Sequence, residues 1–570
     1  MALIFTYLKK HKTVFLVTML LLAIEAACAL FQPALMSYIV DNGIAEMSVH
    51  SVLRYGLFML ALTVLGAIVA ILRNITSVST SQCLGEELRH DIYSHTLHLS
   101  EANIDKLDAG SIITRITNDV VQVQEFVNGL MRIIMKAPFM FIGSVVLTIV
   151  STPDEAPFIF AIVIIVAILI FLNMKISYPR FGRVQRMMDG LNTRARDFLT
   201  GIRIVKAFNG ENHEKELFRD SSSAVGDANV AALSSIAVFS PLISFTINAG
   251  IVLLLYLSRS QKASEIGKLM ASVNYMTQML FSITSISNSL NTATRAQASA
   301  LRIKEVLDEE NLQSEGSNAI SEFSPDIEFS SVSFFYNRAQ KPSLEDISFR
   351  IKKGEKIGII GPTGSGKSTL IKLIPRLYDA SSGTIMIGGI PIEDIEEKAL
   401  RDSISIVFQK AVLFSGTIRD NLLWGCSEAG DEEIVEAARF SESYSFIEKM
   451  PEGFDSVLGQ GGVNLSGGQR QRIAIARAII HKPKILILDD ATSALDAATE
   501  RRVLDNISAL SDDMTVILIS QRISSVASMD RVICMNNGRI EMIGTHSELM
   551  GASDTYKSLA RSQLGASYEE

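Results

Sequence analysis

The nine residues Gly361-Pro-Thr-Gly-Ser-Gly-Lys-Ser-Thr369 carry the most specific chemistry in the sequence. They follow the strand-like run Lys356 to Ile360 and precede a helical run from Leu370 to Leu377, which is the context a phosphate-binding loop needs. Gly361, Gly364 and Gly366 let successive backbone N–H groups converge on phosphate oxygens, and the helix N-terminus adds positive dipole. Lys367 reaches the β and γ oxygens, and the Ser368 hydroxyl is a magnesium ligand. Pro362, Thr363, Ser365 and Thr369 complete the loop. A second apolar run, Ile485-Leu-Ile-Leu488, delivers Asp489, a carboxylate of the kind that holds magnesium beside such a loop. The expected ligands are ATP and Mg2+.

These groups need a soluble α/β scaffold, yet 48% of the 570 residues are hydrophobic and the mean hydropathy is +0.27, high for a chain wholly in water. Six apolar segments predict membrane helices at about 14–39, 53–74, 133–151, 157–175, 236–257 and 266–290. The first is too long for a signal-peptide core and contains Glu25, Gln32 and Pro33, so it reads as a retained helix. Two long polar stretches between spans, residues 73–132 and 175–235, keep helical spacing and predict helices running far out of the bilayer. The second stretch is rich in Lys and Arg, whereas the short loops 41–52 and 151–156 have neither, so the long connections are assigned to the cytoplasm. Arg259, Lys262 and Lys268 run against that assignment but are outnumbered. The acidic stretch 311–325 is the expected linker between a transmembrane domain (1–310) and a nucleotide-binding domain (326–570). A net charge of −8 without a long basic run excludes nucleic acid as the main partner. Cys28, Cys83, Cys426 and Cys534 lack metal-ligand or disulfide-framework spacing.

The segment between the two phosphate-site motifs gives the family away. Leu465-Ser-Gly-Gly-Gln469 is followed by the basic helix 470–480, then Asp489, then Ser493-Ala-Leu-Asp496. This ordered set resembles the ATPase domain of ABC transporters. With the six-span pattern and the stretch SIITRITNDVVQVQEF, the whole chain resembles an ABC exporter half-transporter of the multidrug type. The resemblance implies a membrane all-α domain followed by an α/β P-loop ATPase domain. It implies that Tyr336 stacks on adenine, that Gln409 senses magnesium and the membrane domain, and that Asp496 belongs to the D-loop. It further implies that Leu465, Ser466, Gly467, Gly468 and Gln469 complete the ATP site of a second chain. Segments near residues 105–120 and 208–218 resemble the coupling helices of such exporters.

Members of the family that hydrolyse ATP carry Glu after the magnesium Asp and His at the switch position. Here those positions hold Asp490 and Gln521, and Gln460 replaces another common Glu. Aspartate is one methylene shorter, and loss of positioning of this kind costs roughly a hundredfold in rate. Glutamine cannot carry the proton. The expectation is a degenerate site in one subunit of a heterodimer in a bacterial plasma membrane, its partner supplying Glu and His and the complex exporting hydrophobic small molecules. An active homodimer, a dedicated carrier of a lipid, peptide or metal chelate, and a non-transporting regulator are the competing readings. Glu25, inside the first span, is either a contact for a cationic substrate or a carboxylate paired with another helix. Asn274 and Gln278, with Met276 and Met279, are candidates for the substrate pathway.

Overall fold

The computed structural model describes residues 1–257, 266–313, 323–337 and 339–564. Arg259, Lys262 and most of the expected linker lie outside the described residues. The chain divides into two compact units: residues 1–97 with 110–308, and residues 98–109 with 309–570.

The first unit is helical. A short amphipathic helix, α1 (Ala2–Lys10), precedes α2 (Lys12–Ile39) and α3 (Val49–Leu97). After α4 (Glu101–Leu107), which belongs to the other unit, come α5 (Ala109–Ser151), α6 (Ala156–Thr200), α7 (Glu211–Leu257) and α8 (Ile266–Leu307). The helices of 42 to 49 residues are far longer than a bilayer requires, as expected for spans continuing into polar extensions.

Among the described residues, five helices are long and apolar enough to cross a membrane, against the six expected. The one that falls short is α8. Its span-length segment carries Ser272, Asn274, Thr277, Gln278, Ser282 and Thr284. All but Gln278 donate back to the carbonyl four residues earlier, which pairs their donors within the helix. Asp41, buried at the end of α2, accepts from the backbone N–H groups of Gly267 (2.6 Å) and Lys268 (3.2 Å) and so caps the α8 N-terminus.

In the polar extensions, Asp119 of α5 is 2% exposed and accepts from Ser299 Oγ (2.8 Å) and Arg302 Nε (2.8 Å) of α8. Asp119→Ala removes the acceptor both groups share. Because Arg302 is half exposed and water can rescue it, the expected loss is about 2 kcal/mol, less than for a fully buried pair. Thermal unfolding of the purified chain measures it.

The second unit is built on a six-stranded sheet of order β12-β11-β3-β10-β9-β6. Its strands are β3 (Lys356–Ile360), β6 (Ile404–Val407), β9 (Ile485–Asp489), β10 (Thr515–Ile519), β11 (Arg531–Asn536) and β12 (Arg539–Gly544). All neighbours run parallel except β12, which pairs antiparallel with β11. A central parallel strand is covered on both faces, which is why β9 reads as an unbroken apolar run. Ile485 and Ile487 pack on one face with Leu370, Ile371 and Leu373 of α9 (Lys367–Leu373). Leu486 and Leu488 pack on the other with Ile473 and Ile475 of α10 (Gly467–Ile480). A second, antiparallel sheet has the order β2-β1-β4-β5, with β1 (Ile327–Phe334), β2 (Leu344–Ile351), β4 (Ser382–Ile387) and β5 (Ile390–Pro391), and β7 (Gly416–Thr417) pairs with β8 (Val457–Leu458) in a two-stranded ribbon. All four cysteines are free.

Helix α4 is held in this unit. Asn103, fully buried, donates to Glu309 Oε1 (2.9 Å) and to the Glu310 carbonyl (3.0 Å). Ala102 packs on the core shared by the two sheets, and Tyr378 donates to Asp105 Oδ2 at 2.6 Å. Within the neighbourhood of residues 105–120, whose likeness to a coupling helix is a sequence expectation, the structure places α4 over residues 101–107 and assigns residues from Gly110 onward to the helical unit. The other one, 208–218, leads into α7 with Phe208 exposed. Tyr378→Phe deletes one charge-assisted bond while keeping the ring. ATP affinity should be unchanged and any stimulation of ATPase by transported compounds should fall about tenfold, measured in proteoliposomes.

Candidate nucleotide site

Four of the predicted segments leave the sheet at the carboxyl end of a parallel strand: β3 into residues 361–366, β6 into Gln409, β9 into Asp490, and β10 into Gln521. Ligand crevices in open α/β sheets form at this edge. A cavity of about 690 Å³ brings together Thr363, Gly364, Gly366, Lys367, Ser368, Thr369, Gln409, Asp489, Asp490 and Gln521. Gly361, Pro362 and Ser365 do not line it. They form the floor of the loop, where Lys367 Nζ donates to the carbonyls of Gly361 and Pro362, both at 2.8 Å. Gly366 has φ +95°, a left-handed conformation that only glycine adopts cheaply, and starts α9 from there.

Ser368 Oγ donates to Asp489 Oδ1 at 2.9 Å. Hydroxyl and carboxylate oxygens at this separation, with the Gln409 amide beside them, make a hard-oxygen donor set that fits Mg2+. Burial pushes the Asp489 carboxyl above the ordinary aspartate range, and the Ser368 bond pulls it partly back. Burial likewise lowers the Lys367 ammonium, against the attraction of Asp490 and Asp489.

Asp490 is 7% exposed and sits at φ +48°. Its Oδ2 accepts from Gln409 Nε2 at 3.2 Å. Burial raises its pKa, opposed by the backbone N–H of Gln521, the Gln409 amide and Ser493. Gln521 is exposed, and its carbonyl accepts from Gln563 Nε2 (2.6 Å) of the C-terminal helix α12 (Asp554–Leu564).

Tyr336 does not line the cavity. Its ring stands edge-on to Phe334 and Tyr378, and its hydroxyl lies 3.3 Å from Thr369 Oγ1, beside the loop. None of Leu465, Ser466, Gly467, Gly468 and Gln469 lines the cavity either. Ser466 and Gln469 form a capping box that leaves the N-terminus of α10 exposed: Gln469 N donates to Ser466 Oγ (3.2 Å) and Ser466 N to Gln469 Oε1 (2.8 Å). Asp496 caps the helix α11 (Ala497–Leu510), and the Thr499 N–H holds its carboxyl below the usual range.

Sequence reasoning missed Lys341, Pro342, Ser343, Ile519, Asn537 and Gly538, which complete the cavity wall. Asn537-Gly538 is the turn between β11 and β12, with both residues at positive φ. Gly538 N donates to the Ser365 carbonyl (3.2 Å), and an added Cβ would stand 2.9 Å from the Ser343 carbonyl. The Asn-Gly pair flanked by apolar runs was a readable hairpin signal.

The two halves match separate family models: "ABC transporter transmembrane region" over residues 15–283 and "ABC transporter" over residues 344–493. The chain is 35% identical to the uncharacterized ABC transporter ATP-binding protein YfiB of Bacillus subtilis (strain 168), over 98% of each chain. It belongs to the ABC transporter family. The same bacterium's putative multidrug export ATP-binding/permease protein YgaD is 32% identical over 97% of each chain. The fold is similar to the structure of a bacterial Atm1-family ABC exporter with ATP bound (TM-score 0.80, 25% identity, 98% of this chain and 99% of that one). The chain is an ABC exporter half-transporter, with a multi-pass membrane domain fused to an ATP-binding ATPase domain.

The structure revises the pathway candidates in the helical unit. Glu25 is 8% exposed and paired twice, with Arg73 Nε at 2.5 Å and Lys136 Nζ at 2.6 Å, so it is not a free carboxylate awaiting a cationic substrate. Met276 and Met279 are fully buried among Ile159, Val166 and Leu254, as core residues are, and line neither of the two cavities bordering Phe281. Asn274 is exposed, and Gln278 is half-buried and accepts from Ser144 Oγ (3.3 Å).

Proposed function

We propose that this half-transporter is the subunit of a heterodimeric exporter that retains ATP at its own site and cleaves it slowly. Its domains are 1–310 and 326–570 joined by 311–325, with α8 as the sixth span, in a bacterial plasma membrane. The pairing of Asp490 with Gln521 carries the reading. Hydrolysis needs a base within reach of the attacking water and a neighbour able to manage its proton. Asp490 is short by a methylene, buried, and engaged by Gln409, while Gln521 has no titratable side chain.

The rest of the nucleotide site supports tight binding. The loop 361–369 would cradle the phosphates, Tyr336 would stack on adenine, and Ser368, Asp489 and Gln409 would hold Mg2+, which neutralises charge on the β and γ oxygens. Leu465 to Gln469, with Asp496, would face the partner's nucleotide, where the exposed α10 N-terminus suits an anion. The partner would be a second half-transporter carrying Glu and His. Similarity to a putative multidrug export protein supports hydrophobic or amphipathic small molecules as cargo.

Reconstitution tests this. The chain alone should turn over ATP at a small fraction of the rate of the complex, and brisk hydrolysis by the self-assembled chain would contradict the reading.

A further inference from the structure

A pocket of about 410 Å³ in the helical unit is lined by Arg73, Arg132, Lys136 and Gln278, with Met140 and Phe281 on its apolar side. Of the three cationic side chains there, Arg73 and Lys136 share one carboxylate, Glu25, which lies behind the pocket lining. Arg132 Nε is buried and has no hydrogen-bond partner among the described residues. Phe281, 70% exposed, also borders a second cavity of about 390 Å³, lined by Val166, Ile243, Ile247 and Leu280 with hydroxyls between them.

Arg73 lies where the α3 span gives way to its polar extension, and Arg132 and Lys136 lie where the α5 span begins. Arg and Lys at a helix end can snorkel to the interface, but Arg132 Nε is buried without an acceptor, and a buried guanidinium N–H left unpaired is costly unless a ligand supplies the acceptor. Guanidinium groups suit phosphate and carboxylate oxygens, and the adjoining cavity suits an apolar body. We propose that this pocket binds the anionic group of an amphiphile, with Arg132 as the unshared contact and the apolar part lying past Phe281. The inference rests on the exporter reading for transport but not for binding. A cationic drug would meet two excess positive charges.

The test uses the full chain in phosphatidylcholine nanodiscs with two photoreactive probes, a diazirine-bearing hexadecyl phosphate and the matching hexadecyltrimethylammonium. The phosphate probe should label peptides containing Met140 and Phe281 about tenfold more than the ammonium probe, the value of one charge-assisted contact. Arg132→Gln, which leaves both Glu25 pairs in place, should abolish that preference. Equal or stronger labelling by the ammonium probe, or no labelling of these peptides by either, overturns the proposal, and the comparison on the unmodified chain holds even if the variant fails to fold. Competition by added phosphatidylglycerol would identify a lipid headgroup as the source of the anion. Competition by soluble dodecyl phosphate alone would identify a free amphiphile. Labelling without ATP-driven movement of the probe in the complex would support the pocket and count against the exporter reading.

Discussion

Asp490→Glu combined with Gln521→His raises ATP turnover of the purified chain about a hundredfold, the lower range of what a positioned general base contributes. The expectation follows from how the cavity is built. β9 fixes the position of residue 490, and the Gln521 N–H and the Gln409 amide hold its short carboxylate where it is. Glutamate extends the same carboxylate toward the phosphates by one methylene. Histidine at 521 adds a proton-carrying ring at the end of β10, on a loop steadied by two bonds to Gln563. Each substitution alone should give a smaller gain, since the two groups act on one water and couple. A rate unchanged in the double variant, with ATP still bound, would mean that hydrolysis is limited elsewhere.

Ser466→Asp in this chain lowers turnover of the two-chain complex on the order of a hundredfold, while this chain's own ATP affinity stays the same. Aspartate is as good an N-cap as serine, so α10 keeps its capped first turn and the fold keeps its stability. What changes is a negative charge at an exposed helix N-terminus proposed to meet the partner's γ-phosphate. Lys367→Ala should do the reverse: nucleotide is lost from this chain's site, and the partner's site keeps a measurable rate. Equal losses from both substitutions would indicate two equivalent sites. Radiolabelled ATP binding and phosphate release on the same preparations separate the outcomes.

The parts of the site that could be read in the sequence are those whose geometry is local. The loop 361–369, Asp489 at the end of an apolar strand, and the capped helix after Leu465 each depend on a few consecutive residues, and their spacing declares them. Lys341 to Ser343 and Asn537-Gly538 reach the same cavity from distant strands, so only the sheet order brings them there. The hairpin itself was legible, but its docking against Ser365 was not. Glu25 illustrates the same limit. A carboxylate inside an apolar run signals cost, but its partners Arg73 and Lys136 sit on two other helices. Met276 and Met279 fit both a pathway and a core by periodicity, and packing against Ile159, Val166 and Leu254 decided for the core. Helix α8 is less apolar than the other five because it carries Ser272, Asn274, Thr277, Gln278, Ser282 and Thr284, and hydropathy does not register that the hydroxyls of Thr277, Ser282 and Thr284 are bonded inside the helix.

The most direct measurement is the chemical state of the nucleotide on each subunit during turnover. The complex of this chain with its partner is incubated with Mg2+ and, in parallel, α- and γ-labelled azido-ATP, cross-linked while cycling, and separated into its two chains, the γ-label surviving only where the triphosphate is intact. Intact triphosphate on the peptides around Gly361 to Thr369 of this chain, with diphosphate accumulating on the partner, is the predicted result. Diphosphate recovered equally from both chains would contradict it.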